Sequence, residues 1–564
     1  MTRAWELYEQ GRMYNERLVP SQYSLVRTNT EFFIGNQWLN LPDTAAMRGL
    51  PKPTFNILKR VASLFVASLT SSAVTVRFEP LAYYKGGKAD ADQETAAFAN
   101  AEVQNLLDKF KFDYRLREAL FDGAQTGDYC AHFWFDPTAT PYGGALGRHR
   151  GEIRMELVDG IQVLFGDPAC REVQKQPYIL IVGRDTVANL KREASSHGHG
   201  DAEIIPDGEY HGFPGIGAET ELTGDDENGK VLFLYLYTRK ETAERDASGK
   251  KTGRMLRRVH VTKATRTAII YENVDTGLDR YPIAWGNWER QKNQYHGRAL
   301  VTGLLPNQIF INTMFATAMR HMQLMAFPKT VYNADLISAW TNEVGQAIGV
   351  HGLQPGMSIG QVAANLQPAE MSNQIFALID KAMDYTKDCI GATDALLGSA
   401  DPDNTSALML LQTNSEVPLE NIRAGEYEWI EDIAAILLDM MGTYYGVRPV
   451  VVEQELEEPV TGATGVPLLD PQTGLMKTAK KTRKVLRDFD FRVFKDLYFR
   501  IRVDVGASSY FSEIAMTQTL DKLRQDGTLD MIQYLERVPD KLIPKKQELI
   551  DTLRQQPPAP ELPA

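Results

Sequence analysis

One stretch of this 564-residue chain, from Gly297 to Gly446, constrains its fold more than any other. A Met-rich amphipathic helix leads into an irregular insert and then into a second helix. A loop rich in Gly, Asp and Asn follows, and it precedes a very long helix with an internal proline. A compact globular enzyme seldom needs this order of elements. It is typical of a radially repeated subunit that lines a channel with helices and extends a loop into that channel.

Three helices are predicted in this stretch because apolar residues recur at three- and four-residue steps. The first covers Arg298–Met325 and the second covers Gln374–Cys389. The third is predicted over Asn404–Tyr445, about 60 Å at the α-helical rise. Pro418 removes one backbone donor from this helix, and Gly425 weakens the following turn. We therefore expect a kinked helix rather than a straight rod.

The remaining segments mix helices with strands, so the sequence predicts an α+β fold. Helical patterns dominate the first 80 residues and return over Gln93–Gly123, and short apolar runs between turns then indicate strands to about Trp288. Further strands are predicted at Phe489–Phe494 and Tyr498–Val505, after a hairpin tip rich in Gly, Pro and Lys at Glu457–Lys484.

The charge and cysteine content limit the possible functions. A formal net charge of −12 argues against a general nucleic-acid coat, because phosphate binding normally requires a basic surface. DNA that passes without being gripped remains compatible with this charge. Cys130, Cys170 and Cys389 are far apart and odd in number. They indicate a reducing compartment, without a disulfide framework or a zinc site.

No segment has the unbroken run of roughly 18–20 apolar residues that crosses a membrane. The closest approach, Ile57–Val76, is interrupted by Lys59, Arg60 and several serines. The first residues also lack an apolar signal core. We therefore expect a soluble, cytosolic product that makes no membrane contact.

Motifs for catalysis or cofactor binding are not supported. The Gly249–Thr252 turn lacks the earlier glycine and the strand that a phosphate-binding loop requires. His197 and His199, with Asp201 and His211 nearby, offer metal-ligand types, but a solvated polar loop explains them better. No nucleophile stands in a recognisable motif with a base. The sequence predicts a protein that is not an enzyme and that carries no cofactor or metal.

The segment Asp401–Ser406 begins like a calcium-binding loop. However, Ser406 stands where such a loop has glycine, and Gln412 stands where it has a bidentate glutamate. Acids and amides at a helix start satisfy unpaired backbone N–H groups and favour the helix dipole. We therefore interpret this segment as a helix cap.

Four segments, taken in order, carry a resemblance to a known family. They are Phe32–Trp38 followed by Lys52–Ile57, then Tyr295–Arg298 leading into Leu305–Gln308, then Ala326–Lys329, and finally Leu397–Ala407. In their order and spacing the chain resembles the portal proteins of tailed bacteriophages, the head-to-tail connector family. The resemblance extends over most of the chain, although each motif alone is loose. His296 departs from the pattern, since other forms carry serine in this motif.

The resemblance implies a ring, usually of twelve subunits, at a unique capsid vertex, which forms the channel for packaging and ejection of double-stranded DNA. It also implies an assignment of parts along the chain. These parts are a wing (1–297), stem helix 1 (298–325), a clip (326–373), stem helix 2 (374–390), a tunnel loop (391–403), a long kinked helix (404–446), a β return of the wing (447–510), and a crown with a disordered tail (511–564).

The same resemblance implies the partners and the location. The terminase large subunit and later a head–tail adaptor dock on the clip, while the major capsid and scaffolding proteins surround the ring. The protein would assemble in the host cytoplasm and remain in the virion. Two alternatives stay open: a catalytic component of the phage packaging machinery, and an unrelated oligomeric adaptor.

Two sets of candidate residues follow. The DNA channel or tunnel loop is predicted to contain Ala395, Leu396, Leu397, Gly398, Ser399, Asp401, Asp403 and Asn404. On the stem helices, weak salt-sensitive phosphate contacts are predicted for Arg320, His321, Lys381 and Lys387. An equally good interpretation of these four is a salt bridge between subunits or a solvated face. The methionine stripe of the first helix is interpreted as a helix–helix interface.

Overall fold

The computed structural model describes residues 2–38, 50–71, 74–80, 89–140, 150–200, 203–205, 229–245, 251–325, 330–337, 348–365, 374–389, 417–459, 478–497, 499–505, 520–524, 530–538, 546 and 549–550. Helices and sheets both contribute substantially, which confirms the predicted α+β class. The chain divides into two compact units. The first unit comprises Met1–Ser24, Phe65–Ala299 and Leu419–Ala564, and the second comprises Leu25–Leu64 and Leu300–Pro418.

The α-helices that follow are numbered in chain order. They are α1 (Arg3–Arg17), α2 (Gln22–Ile34), α3 (Ile57–Leu69), α4 (Ala89–Phe110), α5 (Phe112–Thr126), α6 (Val187–Ser196), α7 (Leu300–Met325), α8 (Ile359–Val362), α9 (Gln374–Cys389), α10 (Glu420–Tyr444), α11 (Val493–Asp496) and α12 (Met531–Arg537).

The strands are likewise numbered in chain order. They are β1 (Val74–Pro80), β2 (Asp128–Asp136), β3 (Glu152–Val158), β4 (Val163–Phe165), β5 (Tyr178–Thr186), β6 (Lys230–Arg245), β7 (Lys251–Ala264), β8 (Ile269–Asp275), β9 (Ile283–Asn287), β10 (Thr330–Tyr332), β11 (Ala363–Asn365), β12 (Val447–Pro459), β13 (Thr478–Asp490) and β14 (Phe499–Val505).

In the first unit, the sheets are antiparallel and mostly join neighbours in the chain. A five-stranded sheet has the order β4-β5-β6-β7-β8, and a three-stranded sheet has the order β3-β2-β9. Strand β1 pairs with β14 across more than 400 residues of chain, and β12 pairs with β13 as a separate ribbon. The short apolar runs between turns are thus strands of meandering antiparallel sheets.

Helix α10 supplies the centre of the core in the first unit. Trp429 is fully buried there, with its ring stacked on Phe112 at 6.0 Å and edge-on to Tyr129 at 5.2 Å between centroids. Its indole N–H donates to the carbonyl oxygen of Ala284 in β9 at 3.1 Å. Because the polar atom of this large side chain is satisfied, its burial is strongly stabilising. Helix α10 is thereby fixed against both α5 and the three-stranded sheet.

A close approach of two backbone segments explains two glycines in the same unit. Gly127 ends α5 with φ +98°, a conformation that side-chain-bearing residues rarely adopt. A Cβ atom at Gly127 would lie 2.5 Å from the carbonyl oxygen of Gly297, and a Cβ atom at Gly297 would lie 2.5 Å from that of Gly127. Both positions therefore require glycine on steric grounds.

The strand predicted at Phe489–Phe494 is wrong. Strand β13 ends at Asp490, and Val493–Asp496 forms one helical turn. Phe491 and Phe494 are both buried, with ring centroids 5.6 Å apart, whereas the two intervening residues are exposed. Burial at positions i and i+3 is the period of a helical turn, not of a strand. Strand β14 begins at Phe499, close to the predicted start.

Candidate functional site

Helices α7 and α9 form the helical pair of the second unit, and they occupy the two segments that the resemblance assigns to the stem. Near the start of α7, the Asn307 side-chain N–H donates to the Thr386 hydroxyl, near the end of α9, at 3.1 Å. The Thr386 hydroxyl in turn donates to the carbonyl oxygen of Ala382 at 2.6 Å. The start of one helix thus meets the end of the other. The buried polar groups at this crossing are satisfied, which fixes the register of the pair.

A buried amide network anchors α7 to the residues that precede α3 within the same unit. The Gln308 amide donates to the Phe55 carbonyl oxygen at 2.7 Å and to the Asn312 side-chain oxygen at 2.9 Å, while its own oxygen accepts from the Ile57 N–H. The Asn312 amide donates to the Gln37 side-chain oxygen at 2.6 Å. Three buried amides thus satisfy one another, an arrangement in which the loss of one partner is costly.

This network joins two of the sequence motifs that carry the resemblance. Gln37 and Trp38 belong to the first motif, and Gln308 belongs to the second. The Trp38 indole N–H donates to the Pro53 carbonyl oxygen at 3.0 Å, and Asn56 accepts from the Lys59 N–H at the start of α3. The early motif therefore has a packing role that sequence reasoning did not identify. The sequence signal for this role was a cluster of Gln and Asn residues at helical positions that are otherwise apolar.

In the first unit, a second buried network surrounds the residues just before α7. Asp128 is almost fully buried, and its carboxylate accepts from the Gly297 N–H at 2.7 Å, from the Asn287 amide at 2.7 Å and from the His296 Nδ1–H at 2.6 Å. His296 Nε2 lies 3.0 Å from the Asn15 side-chain oxygen. His296, which departs from the family pattern, is therefore a structural residue that orders this segment through Asp128.

The exposed side of α7 is almost uncharged. Arg320 is the helix's single residue of the types Asp, Glu, Lys and Arg. Phe310 and Thr317, which precede Arg320 by one turn or more, are exposed. They lie on the side of the helix opposite the buried residues Leu304 and Ile311. Arg320 and His321 are half-buried. With so few charges, this face offers a phosphate group little electrostatic grip.

The exposed side of α9 carries both acids and bases. Asp380, Lys381 and Asp384 are exposed, and Lys387 is half-buried with its Nζ atom 3.5 Å from the Asp384 carboxylate. An exposed ion pair of this kind contributes only about 0–1 kcal/mol and is screened by salt. The two predicted cations of α9, Lys381 and Lys387, therefore lie among acids, and the described surface of α9 is not a basic patch.

Helix α9 also exposes large apolar side chains on both sides of its buried seam. Ile379 and Thr386 form the seam, whereas Phe376, Leu378 and Tyr385 remain 40%, 48% and 63% exposed. At 100° per residue, Leu378 and Tyr385 lie on one flank of the seam and Phe376 lies on the other. These three apolar side chains are therefore accessible for contact with another surface.

The predicted tunnel-loop residues lie outside the described residues. They are Ala395, Leu396, Leu397, Gly398, Ser399, Asp401, Asp403 and Asn404. Of the predicted long helix, α10 is described from Glu420, after a 3₁₀ turn at Val417–Leu419 that contains Pro418. Gly425 lies inside α10. Because residues 404–416 are also outside the described part, the kink stays a prediction.

A buried acid on α10 was not identified from the sequence. Glu426 is completely buried, and neither of its carboxyl oxygens has a hydrogen-bond partner in the described structure. Burial raises the pKa of Glu426 to about 8, and the nearby Arg423 only partly opposes this shift. The acid is therefore protonated at neutral pH, because an ionised carboxylate would be strongly destabilised at this position.

Tyr129 lies close to this acid. Its hydroxyl is buried without a hydrogen-bond partner among the described residues, and its pKa is raised by burial first and by Glu426 second. The signal for Glu426 was present in the helical period. Glu426 stands four residues after Ile422 and three before Trp429, so the apolar face of α10 contains one carboxyl group.

Two of the four residues considered for metal binding, Asp201 and His211, lie outside the described residues. Nowhere in the described ranges do three or more His, Cys, Asp or Glu side chains come together to hold a metal ion. His197 instead follows α6, where its N–H donates to helix carbonyl oxygens and its ring lies 4.8 Å from that of Tyr271. Among the described helices, none combines the length and the apolar character needed to span a membrane.

Comparison with known proteins identifies one family. No curated protein matches the sequence significantly. Residues 227–453 match the phage P22-like portal protein family. The matched segment includes α7, α9 and α10, whose geometry is described above. Portal proteins are structural components of phage DNA packaging. Over these residues the chain is similar to the P22-like portal proteins, which confirms the resemblance to tailed-phage portal proteins that the sequence predicted.

Proposed function

We propose that this protein assembles as a closed ring, of twelve copies by family expectation, that forms the channel for double-stranded DNA at one capsid vertex during packaging and ejection. The observation that carries the proposal is the family match over residues 227–453, a segment that contains both stem helices. The exposed Phe376, Leu378 and Tyr385 support ring assembly, because a neighbouring copy would remove them from water.

The charge distribution of the stem suits a channel in which DNA slides. A ring of basic residues would bind successive phosphates and resist movement, since each neutralised phosphate contributes to affinity. Here Arg320 is the single Lys or Arg residue of α7, and Lys381 and Lys387 lie beside Asp380 and Asp384 on α9. Any phosphate contacts of these cations would be weak and sensitive to salt. We propose that they guide DNA without holding it.

The remaining parts are proposed by the family assignment. Residues 326–373 form the clip, on which the terminase large subunit and later the head–tail adaptor dock. Residues 391–403 form the tunnel loop, 1–297 and 447–510 form the wing, and 511–564 form the crown. The ring lies at the capsid vertex of the virion, where it contacts the major capsid and scaffolding proteins during assembly in the host cytoplasm.

Native mass spectrometry of the purified protein tests ring assembly directly. A single assembly near twelve subunits is expected, whereas a stable monomer or dimer would contradict the proposal. Channel function is tested separately by deletion of Ala395–Ser399. We expect this deletion to leave the ring intact and to reduce DNA packaging or retention. Loss of the ring itself would show that these residues do not form a tunnel loop.

A further inference from the structure

The ribbon formed by β12 and β13 has two outer edges. Its strands pair antiparallel in continuous register, from Val447 opposite Asp490 to Pro459 opposite Thr478. This is a sheet of two strands in the described structure, and it extends over about 43 Å at roughly 3.3 Å per residue. Along each outer edge, every second residue directs its backbone N–H and C=O away from the partner strand. Such an edge is a template for another strand.

The two edges carry opposite charges in the half of the ribbon nearest its tip. The β12 strand has four acids there, and the facing stretch of β13 has four bases. They are Glu453, Glu455, Glu457 and Glu458 on β12, and Lys480, Lys481, Arg483 and Lys484 on β13. No base interrupts the acidic stretch, and no acid interrupts the basic one.

We propose that, in the ring, the acidic β12 edge of one copy pairs with the basic β13 edge of the next, which joins the ribbons into a continuous antiparallel sheet. This inference rests on the ring assembly proposed above. Copies related by rotation present their ribbons in the same orientation. Because β12 and β13 are antiparallel within one copy, β13 and the β12 strand of the next copy also run antiparallel.

Charge complementarity identifies the occupant of each edge as a second copy of this chain. An isologous contact would place β12 against β12, or β13 against β13, and would bring four like charges against four. Pairing of β12 with β13 brings opposite charges together at every junction. Segregated edges thus block the symmetric dimer and permit the head-to-tail contact that can close into a ring.

A role confined to one hairpin explains only part of this pattern. Within the ribbon, Glu453 is opposite Lys484 and Glu457 is opposite Lys480, and such pairs stabilise a hairpin. However, alternating signs along both strands would give the same cross-strand pairs. In the half of the ribbon nearest its tip, all the acids lie on β12 and all the bases lie on β13. This segregation gives an advantage over alternating signs only when a third strand pairs with one of the edges.

Two complementary variants separate these roles. In an all-acidic ribbon, Lys480, Lys481, Arg483 and Lys484 are replaced by Glu. In an all-basic ribbon, Glu453, Glu455, Glu457 and Glu458 are replaced by Lys. Each variant alone has like charges both within its hairpin and between copies. In a 1:1 mixture, the hairpins keep their internal repulsion, but alternating copies regain opposite charges at every junction.

Native mass spectrometry at a series of protein concentrations gives the readout. We expect each variant alone to need at least a tenfold higher concentration than the unmodified protein to form rings. The mixture should form rings at lower concentration than either variant, with both variants in equal number. If the mixture behaves as the sum of its components, the charges act only within the hairpin and the inference is overturned.

Hydrogen–deuterium exchange of the unmodified protein provides a second measurement that does not depend on folding of the variants. The outward amides of β12 and β13 should exchange at least tenfold more slowly in the ring than in dissociated subunits. Equal rates in the two states would overturn the edge pairing while leaving the ring proposal intact. An unmodified protein that forms no ring would overturn both.

Discussion

Helices α9 and α10 are both amphipathic, but they differ in how far their apolar residues are buried. Helix α10 buries Trp429, Ile433 and Leu437 completely against its own unit. Helix α9 buries Ile379 but leaves Leu378 and Tyr385 about half exposed or more. The difference shows that an apolar period predicts a helix but not its partner. Residues of α10 stabilise the unit that contains them, whereas the exposed residues of α9 are accessible for contact with another surface.

Replacement of Trp429 by Ala is the strongest test of this difference. The cavity and the loss of the indole should lower the free energy of unfolding by about 3–5 kcal/mol. Thermal and urea unfolding measure the effect. Trp134 is a matched control, because it is a tryptophan of the same unit that is 37% exposed, and its replacement by Ala should cost about 1 kcal/mol. Equal losses would contradict the central role of α10.

The next largest effect is expected at Gly127, which closes the turn before the core strand β2. Alanine at this position would keep φ at +98° and bring Cβ to 2.5 Å from a backbone oxygen. We expect the free energy of unfolding to fall by about 2 kcal/mol or more. Gly35→Ala isolates the backbone contribution, because Gly35 has φ +108° and open space around it. The free energy of unfolding of this variant should fall by about 1 kcal/mol. An equal fall for both variants would show that the close Cβ contact at Gly127 adds no steric cost.

The sequence predicted the local elements better than their long-range contacts. Periodicity placed helices at Arg298–Met325 and Gln374–Cys389, and the structure has them at Leu300–Met325 and Gln374–Cys389. Such elements follow from residues a few positions apart. At long range, the segment Leu25–Leu64 groups with Leu300–Pro418 in one compact unit. That grouping depends on contacts between residues far apart in the chain, which periodicity does not encode.

The same distinction applies to the candidate site. Arg320, Lys381 and their neighbours were found because charged residues on a helix are visible in the sequence. The Gln308 network and the Asp128–His296 pair were missed, because a buried hydrogen bond depends on both partners and these are separated by more than 150 residues. A polar residue on an apolar helical face was the available signal in both Gln308 and Glu426.

A pH titration tests whether the acid of α10, Glu426, is buried as completely as Trp429. The pKa of Glu426 is raised from 4.5 to about 8 by folding. Between these values the folded protein holds a proton that the unfolded chain has released. Stability therefore falls as pH rises from about 4.5 to 8, by up to about 1.4 kcal/mol per pH unit. Urea unfolding between pH 5 and 8 should show this slope.

Glu426→Gln should remove the slope contributed by this group, because a neutral amide does not titrate. The matched control is Glu428→Gln. Glu428 lies two residues further along α10, is exposed, and pairs with Arg171 and Arg290. This control should retain the slope of the unmodified protein. The same slope in Glu426→Gln and in the unmodified protein would show that another group is responsible.

The smallest effect on the subunit, and the sharpest contrast with α10, is expected at Tyr385 of α9. Its side chain is 63% exposed, so Tyr385→Ser should change the free energy of unfolding of the dissociated subunit by only about 0.5 kcal/mol. If a neighbouring copy covers this flank, the same change removes apolar area from each junction of the ring. Because each subunit contributes to two junctions, the loss recurs around the whole assembly. Rings should then dissociate at a higher protein concentration in native mass spectrometry.

Asp384→Ser, one position away on the charged side of α9, should leave this concentration unchanged. Equal effects of the two substitutions would mean that the exposed apolar flank of α9 does not face another subunit, and the contrast between the two helices would then need another cause.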